Sequence, residues 1–307
     1  MNIGFCGSGL FASQCLDILN KSININWVVT NTPKHAGRGM KLQETQVQIL
    51  ATKLNLECKT TIKISEDTEL INWIKDQKPD LILVIDFGQM IKTNLLTMPT
   101  VGCINIHPSK LPELRGAAPL QRALMLGLTE TYVTIFKLDE GMDSGPILDS
   151  KKIDISLDDD FETLLTKSAK IGSELLSKYI LEVPCNEWKF HSQVTDSISY
   201  APKIAKIEGR IDWNEPYGNI INMIRGIKNF PGVYTIYKNK RLRIFKAESR
   251  KINDDSTAKL IAVEDGYPII SCGNGAVKLL EVQPEGKKIQ QAKDWLLGAR
   301  LQIGDYI

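Results

Sequence analysis

The sequence is poor in the residues that usually hold a transition metal or a disulfide framework. It has three histidines and six cysteines in 307 residues, and no two cysteines stand at C-x-x-C spacing. Zinc sites depend on closely spaced ligands, and disulfide scaffolds are typical of short, cysteine-rich secreted chains. We therefore expect neither a metal site nor a disulfide framework.

Long apolar segments and targeting signals are also missing. No apolar run reaches the roughly 18–20 residues that a membrane-spanning helix needs. The first seven residues, Met1 to Gly7, lack the basic start and the cleavage pattern of a signal peptide. We expect a cytoplasmic, monomeric protein with no membrane partner, and its length suggests two domains.

Positive charge is concentrated in one part of the chain. The net charge is +2, but residues 206–307 carry 17 Lys and Arg against 12 Asp and Glu, a net of +5, which leaves −3 for residues 1–205. The densest basic cluster lies between residues 238 and 251 and includes Arg241 and Arg243. Such a cluster is either the solvated face of a hairpin or a surface that attracts a polyanion by releasing counterions from its phosphates.

Strand and helix patterns alternate in the first part of the chain. Strands are predicted at residues 2–6, 25–30, 81–85, 102–107 and 132–138, and helices at 10–20, 43–54, 66–77 and 158–181. The run Leu81–Ile85 is apolar throughout, as expected for a strand that is covered on both faces. The alternation predicts an α/β domain with an open, mostly parallel sheet.

A second domain is predicted after an irregular polar stretch at residues 184–205, which we interpret as a linker. One helix is predicted at 217–227, followed by strands at 233–237, 242–246, 259–263, 268–271 and 277–282. This succession predicts a small β-barrel, for which an OB-like barrel is the natural type. We place the domains at 1–187 and 206–307, with the linker at 188–205.

Glycines after the first predicted strand raise the question of a dinucleotide site. Gly7 and Gly9, with Ala12, approach the dinucleotide-binding fingerprint, which also needs a carboxylate at the end of the second strand for the ribose. The second strand ends without one, in Thr30 and Asn31. We therefore interpret the glycines as a tight turn that approaches a ligand or the sheet.

Polar side chains with catalytic potential end the strand at 102–107. Asn105 and His107 are two residues apart, so they point to the same side of the strand. They also lie at its carboxyl end, where open α/β sheets keep their ligand crevice. An amide donor beside a histidine can stabilise an oxyanion on a tetrahedral intermediate. The alternative is a capped strand end with a buried, satisfied Asn.

A second polar loop, residues 138–146, follows another predicted strand. Gly141 and Gly145 allow the backbone to fold tightly around Asp143, whose carboxylate can hold the tautomer of His107 or accept a proton through water. We interpret Asp139 and Glu140 as members of a solvated turn. No serine or cysteine lies in a nucleophile elbow, which favours direct attack by a substrate amine over an acyl-enzyme.

These motifs resemble those of the folate-dependent formyltransferases. The first reads Asn105-x-His107-x-Ser109-x-Leu111-Pro112, followed by Arg115-Gly116-Ala117-Ala118-Pro119, and the second reads Asp139-x-Gly141-Met142-Asp143-x-Gly145. A further segment is similar to the branch of this family that formylates methionyl-tRNA, Ala36-Gly37-Arg38-Gly39-x-Lys41-Leu42. C-terminal motifs such as Ile211-Asp212-Trp213 and Val282-Gln283-Pro284-Glu285-Gly286 are similar to the same branch.

The resemblance implies a Rossmann-like catalytic domain, a linker and an OB-like domain. It implies transfer of a formyl group from 10-formyltetrahydrofolate to the methionine amino group of initiator methionyl-tRNA, with no metal. The family's catalytic positions fall on Asn105, His107 and Asp143. Its folate-contacting positions fall on Ser109, Lys110, Leu111, Pro112 and, beside the pterin, Asp86, Phe87 and Gly88. We expect the tRNA backbone to be held by Arg38 and Lys41, and by the basic cluster through Arg241 and Arg243.

Two departures from the family pattern lie in the implied folate site. Lys110 stands where the family usually has leucine, and Asp86-Phe87 replaces a common Ala-Tyr pair. Neither departure touches Asn105, His107 or Asp143.

Three other functions are compatible with parts of this pattern. Formyl transfer to a small amine, on a nucleotide sugar or glycinamide ribonucleotide, would use the same three residues but would need neither the 36–42 loop nor a basic domain. A non-catalytic RNA-binding module would not need the three residues. A nucleotide-dependent dehydrogenase would need the ribose carboxylate that is missing.

Overall fold

A computed structural model describes residues 1–36, 41–194, 196–252 and 256–307. The chain divides into two compact units. The first comprises Met1–Pro119, Glu130–Ile155 and Glu162–Ala201, and the second comprises Leu120–Thr129, Ser156–Phe161 and Pro202–Ile307.

The regular elements follow one another closely along both units. The strands are β1 (Ile3–Gly7), β2 (Trp27–Asn31), β3 (Lys34–Ala36), β4 (Lys41–Gln43), β5 (Cys58–Thr61), β6 (Leu81–Ile85), β7 (Gly102–His107), β8 (Glu130–Lys137), β9 (Ile147–Asp154), β10 (Val233–Tyr237), β11 (Lys240–Arg250), β12 (Leu260–Glu264), β13 (Tyr267–Cys272), β14 (Gly275–Pro284) and β15 (Gln290–Gln291). The α-helices are α1 (Leu10–Leu19), α2 (Gln46–Lys53), α3 (Thr68–Asp76), α4 (Thr93–Leu96), α5 (Pro119–Met125), α6 (Phe161–Glu182), α7 (Tyr217–Ile227) and α8 (Ala292–Ala299). Short 3-10 helices span Cys185–Glu187 and Lys206–Gly209.

The first unit is built on a seven-stranded sheet in the order β5-β2-β1-β6-β7-β8-β9. The five strands from β5 to β7 run parallel, and β8 and β9 add to the edge in antiparallel pairs. The chain winds outward from β1 to β2 and β5 on one side, and from β6 to β7 on the other. Ligands of such sheets bind outside the carboxyl ends of the strands at this switch point.

Burial explains why the central strands carry continuous apolar runs. All five residues of β1 and all five of β6 are buried, since helices cover the parallel part of the sheet. One of its hydrophobic clusters includes Trp27, Ile74 and Ile82, and Trp73 packs edge-on against Trp27 with ring centroids 5.5 Å apart.

Helix α6 fixes the orientation of β7. A Cβ on Gly172 would lie 2.5 Å from Cγ2 of Ile106 and 2.7 Å from Cγ2 of Val133, so the helix backbone packs directly on β7 and β8. Ile106 therefore faces α6. Because side chains alternate along a strand, Asn105 and His107 face the opposite side of the sheet.

The second unit contains an antiparallel sheet in the order β10-β11-β14-β13-β12, with β15 paired to β14. Helix α7 buries Ile220, Ile224 and Ile227, and α8 buries Trp295, which packs edge-on against Tyr237 at 5.6 Å. Ion pairs also connect separate segments of this unit. Arg122 pairs with Glu208 at 2.5 Å, and Lys228 pairs with Asp160 at 2.6 Å.

The predicted fold class is confirmed: an α/β unit with a mostly parallel sheet is followed by an antiparallel, β-rich unit. Several predicted boundaries differ from the observed ones. The helix expected from Gln43, for example, begins at Gln46. Residues 41–43 instead form β4, which pairs with β3. The hydroxyl of Thr45 accepts the N–H of Gln48 at 3.0 Å, and this N-cap starts α2.

Within the residues that the structure describes, no helix combines the length and the apolar character that a bilayer span requires.

Candidate active site

Two of the three predicted catalytic side chains, Asn105 and His107, lie at the carboxyl end of β7. Asn105 is partly exposed, and its amide makes no hydrogen bond to any residue that the structure describes. His107 is buried, with 5% of its surface exposed, and Phe136 packs edge-on against its ring at 6.4 Å. The two side chains thus combine a free amide donor with an oriented imidazole.

The surroundings of His107 define the proton positions on its ring. Nε2 lies 3.0 Å from the main-chain oxygen of Leu114. A carbonyl oxygen only accepts hydrogen bonds, so Nε2 carries a proton. Nδ1 lies 3.8 Å from Oδ2 of Asp143. Nδ1 is therefore the ring nitrogen that is left for chemistry, and it faces a carboxylate.

Asp143 is held at this place by a tightly folded loop. Its backbone is left-handed, with φ of 50°, and its Oδ2 accepts the N–H of Gly116 at 2.7 Å. Asp139 shapes the same loop: its Oδ1 accepts the N–H of Gly141 at 3.0 Å and the hydroxyl of Ser144 at 2.8 Å. Asp139 thus forms the turn that the sequence predicted, and Asp143 supplies the carboxylate beside His107.

The segment predicted to contact folate after β7 is largely internal. Ser109 is fully buried, its hydroxyl donates to the oxygen of Glu113 at 2.6 Å, and its own oxygen accepts from Thr134 at 2.6 Å. Leu111 and Pro112 are also buried and are joined by a cis peptide bond. Lys110 is exposed and lies 3.4 Å from Glu113. Lys110 is thus the residue of this group that presents its side chain to solvent.

The second predicted folate segment follows β6, at the switch point of the sheet. The main-chain oxygen of Asp86 accepts the N–H groups of Ser8 and Gly9 at 3.1 and 3.3 Å. Phe87 is buried in the core, whereas Asp86 and Gly88 are exposed, and Gly88 has φ of 71°. Asp86 therefore brings a carboxyl group to the mouth of the crevice.

The carboxyl of Asp86 lies against the start of α1. A Cβ on Gly9 would overlap it, so this glycine allows the strand-to-helix turn to approach the side chain. Part of the Asp86 residue is accessible to solvent, but desolvation of its carboxyl group raises the pKa to about 6, against the opposing effect of the N–H groups of Ala12 and Phe11. The carboxyl of Asp86 thus occupies the helix start where a dinucleotide fold holds a pyrophosphate.

The loop with the first two predicted tRNA contacts is described only in part. Arg38 and the side chain of Lys41 lie outside the described residues. The flanking strands β3 and β4 pair through His35 and Leu42, and Leu42 is exposed. The described ends of the motif therefore belong to two strands that pair antiparallel.

The other two predicted tRNA contacts lie on β11 in different surroundings. Arg241 is exposed, and its guanidinium stacks 4.5 Å from the ring of Tyr234 without a hydrogen bond to the part of the chain that the structure describes. Arg243 is half-buried, and its Nη2 donates to the main-chain oxygens of Lys228 and Asn229 at 3.0 and 3.3 Å. Burial lowers the pKa of Arg243. The guanidinium of Arg241 is thus open to a ligand, whereas that of Arg243 binds its own chain.

Two residues of the predicted linker contact this site, although no sequence motif pointed to them. The hydroxyl of Ser199 accepts the N–H of Leu114 at 2.9 Å. The amide of Gln193 donates to the main-chain oxygens of Asp143 and Gly145, each at 2.8 Å. The hydrogen bonds of both side chains join residues that are far apart in the sequence, so no local sequence pattern predicts them.

The described ranges contain no group of three or more His, Cys, Asp or Glu side chains arranged to hold a metal ion.

Comparison with known proteins identifies the family. A formyl transferase profile matches residues 1–180, and a formyl transferase C-terminal domain profile matches residues 203–300. Among solved structures, a sugar 3N-formyl transferase in the presence of dTDP and 5-N-formyl-THF has a TM-score of 0.65. It is 20% identical and covers 94% of this chain and 99% of its own, which shows the shared fold alone.

Similarity over the full length comes from proteins named methionyl-tRNA formyltransferase. One from Caldanaerobacter subterraneus subsp. tengcongensis is 34% identical over 306 residues. Another, from Halothermothrix orenii, is 37% identical over 315 residues. Each comparison covers 99% of both chains. The chain therefore belongs to the formyl transferase family and, within it, to the methionyl-tRNA formyltransferases.

Proposed function

We propose that this protein transfers the formyl group of 10-formyltetrahydrofolate to the methionine α-amino group of initiator methionyl-tRNA. The product is N-formylmethionyl-tRNA for translation initiation. The observation that carries the proposal is the His107–Asp143 pair beside Asn105, in a chain related over its full length to proteins named for this reaction.

Asn105 and His107 stabilise the charge that develops on the formyl oxygen. The neutral amine attacks the formyl carbon, and the carbonyl electrons move to the oxygen. The amide of Asn105 donates one hydrogen bond to it, and the His107 ring donates another when it carries a proton on Nδ1. A single preorganised donor of this kind contributes about 10²–10³ in rate.

Asp143 moves the proton that the reaction displaces. The attacking nitrogen loses a proton as the new C–N bond forms, and the folate nitrogen gains one as its bond to the formyl carbon breaks. Asp143 takes the first proton and delivers the second, so its charge is unchanged after a turnover. The bond from Gly116 N–H to Oδ2 leaves Oδ1 with no hydrogen bond from the described residues, which supports this role.

The folate co-substrate would lie along the crevice between the ends of β6 and β7. Lys110 and Asp86 are the predicted folate residues with accessible charged side chains. Leu111, Pro112, Phe87 and Ser109 would shape the pocket from within, and Gly88 would leave room for the ring. A folate tail carries carboxylates, so Lys110 is suited to its end.

The tRNA would contact Arg38 and Lys41, in the sequence segment from β3 to β4, and the second unit through Arg241. The contacts of Arg243 favour a role in holding the chain at Lys228 and Asn229. Residues 206–307 thus form the tRNA-binding domain of the proposal, and 1–187 the catalytic domain, joined by 188–205. We also propose that the protein acts as a monomer in the cytoplasm, where translation begins.

Purified protein, 10-formyltetrahydrofolate and three acceptors test the proposal. Initiator methionyl-tRNA, elongator methionyl-tRNA and a nucleotide-linked amino sugar are compared at equal concentration. The proposal expects formylation of the initiator tRNA above both others. Formylation of the amino sugar with none of either tRNA would support the small-amine alternative instead.

A further inference from the structure

We propose that Gln193 and Ser199, here called the clamp residues, position the His107–Asp143 pair for catalysis. Each contacts the main chain of a residue that supports the pair. The proposal rests on the proposed function where it concerns turnover, but the geometry that it assigns is measurable without substrate.

The first arm of the clamp runs from Ser199 to His107. The hydroxyl of Ser199 accepts the N–H of Leu114, and the carbonyl oxygen of Leu114 accepts Nε2–H of His107. Leu114 has φ of 55°, a conformation that bulky residues rarely adopt without support. The direction of its carbonyl, and with it the tautomer of His107, thus depends on what holds Leu114.

The second arm runs from Gln193 to Asp143. The Nε2 amide group of Gln193 donates to the oxygens of Asp143 and Gly145, and its Oε1 accepts Nε and Nη2 of Arg115 at 3.2 and 2.6 Å. The backbone of Asp143 also has a left-handed conformation. One amide therefore connects the buried Arg115 to the loop that carries the proposed proton carrier.

The segment that carries the clamp residues is fixed on both sides. His191 exchanges two main-chain hydrogen bonds with Ile147, each 2.8 Å long. At the other side, Arg115 donates to the oxygen of Ser199 at 3.0 Å, and Ala201 donates to the oxygen of Arg115 at 2.7 Å. The clamp residues are thus presented by anchored backbone, as positioning residues must be.

The consequence for the reaction is that Nδ1 is the nitrogen of the His107 ring that is available to the substrate. With Nε2–H committed to Leu114, the neutral ring exposes the Nδ1 lone pair beside Asp143, and the protonated ring directs Nδ1–H to the same side. Without the clamp, the ring is free to exchange its tautomer and the carboxylate is free to turn away. Small misplacements of this kind lower turnover strongly while leaving substrate binding intact.

The test compares two disruptive variants with a conservative one. Ser199→Ala removes the hydroxyl acceptor, whereas Ser199→Thr keeps it. Gln193→Glu keeps the oxygen that faces Arg115 but replaces the amide donor by a second acceptor. We expect kcat for formyl transfer to fall about tenfold or more in Ser199→Ala and Gln193→Glu. The KM values for both substrates should stay within about twofold, and Ser199→Thr should restore kcat.

The imidazole ¹⁵N spectrum supplies a readout that does not depend on activity. The chain has three histidines, and the His107 signal is the one that is absent from His107→Gln. The folded wild type and Ser199→Thr should show Nε2–H as the neutral tautomer, and Ser199→Ala should show a mixture. A chain inactive on methionyl-tRNA would refute the proposed function but would leave this tautomer result unchanged.

Two results would overturn the clamp. One is an unchanged tautomer in Ser199→Ala together with kcat within twofold of wild type in both disruptive variants. The other is loss of activity in Ser199→Ala that Ser199→Thr fails to restore. If Ser199→Ala does not fold, Gln193→Glu alone decides: a folded variant with unchanged kcat contradicts the proposal.

Discussion

Nδ1 of His107 lies 3.8 Å from Oδ2 of Asp143, and the same oxygen accepts the N–H of Gly116 at 2.7 Å. The pair is therefore close enough for electrostatic coupling but longer than a hydrogen bond. Catalytic hydrogen bonds of unliganded sites often tighten only when substrate binds. The main-chain donor at Gly116 keeps the carboxylate oriented until then.

Replacing Asp143 by asparagine tests the proton-carrying role of this carboxylate. The amide oxygen of Asp143→Asn can still accept from Gly116, so the fold and the melting temperature should change little. Because an amide cannot take and return the proton, we expect kcat to fall about 10²–10⁴-fold in single-turnover assays. A variant that keeps kcat within a few-fold would exclude Asp143 as the proton carrier.

Asn105→Leu tests the amide donor with a side chain of similar size. The amide makes no hydrogen bond inside the described ranges, so its loss should not destabilise the protein. We expect kcat to fall about 10²–10³-fold with unchanged binding of folate and tRNA. Equal losses of kcat and of folate affinity would instead assign Asn105 to substrate binding.

Arg241→Ala and Arg243→Ala form a matched pair on one strand. Arg241 is free to contact a phosphate, so its replacement should weaken tRNA binding and lower the slope of log K against log salt by about 0.7–0.9. Arg243 binds two main-chain oxygens, so its replacement should lower the free energy of unfolding by about 1–3 kcal/mol. Filter-binding titrations measure the effect on tRNA affinity, and thermal melts measure the effect on stability. Loss of stability in Arg241→Ala together with loss of tRNA affinity in Arg243→Ala would refute this account of β11.

Asp86→Asn tests the carboxyl group at the start of α1. The pKa of Asp86 is raised to about 6, so between about pH 4 and 6 the folded protein holds a proton that the unfolded chain has released. This contribution to stability is complete at low pH and is lost as the pH rises through about 6. Asp86→Asn should therefore raise the melting temperature relative to wild type more at pH 8 than at pH 4.5. A difference that is constant across this range would show that Asp86 does not titrate in it.

The sequence predicted the parts of the fold whose signals are local. Strand β7 was predicted at its observed ends, because an apolar run stops at Pro108, and helix α7 was predicted at its observed ends as well. Strand β5 was missed. Its residues Cys58 to Thr61 are mostly polar and lie at the sheet edge, so they carry no apolar alternation.

The candidate site was predictable only as far as its residues lie together in the sequence. The spacing of Asn105 and His107 on a strand determined their common direction, and the tight loop indicated Asp143. Burial of Ser109 was not foreseeable, because it depends on the hydroxyl of Thr134, a residue of the adjacent strand β8. The contacts of Gln193 and Ser199 are long-range in the same way, and their polar segment has the composition of a linker.

The central claim, that this pair performs formyl transfer, is tested most directly by His107→Ala. The measurement is the single-turnover rate of formyl transfer from 10-formyltetrahydrofolate to initiator methionyl-tRNA, with tRNA affinity measured in parallel. We predict a rate at least about 10²-fold below wild type, with the melting profile and the tRNA affinity preserved. A folded variant that formylates initiator methionyl-tRNA at a near-normal rate would contradict the account.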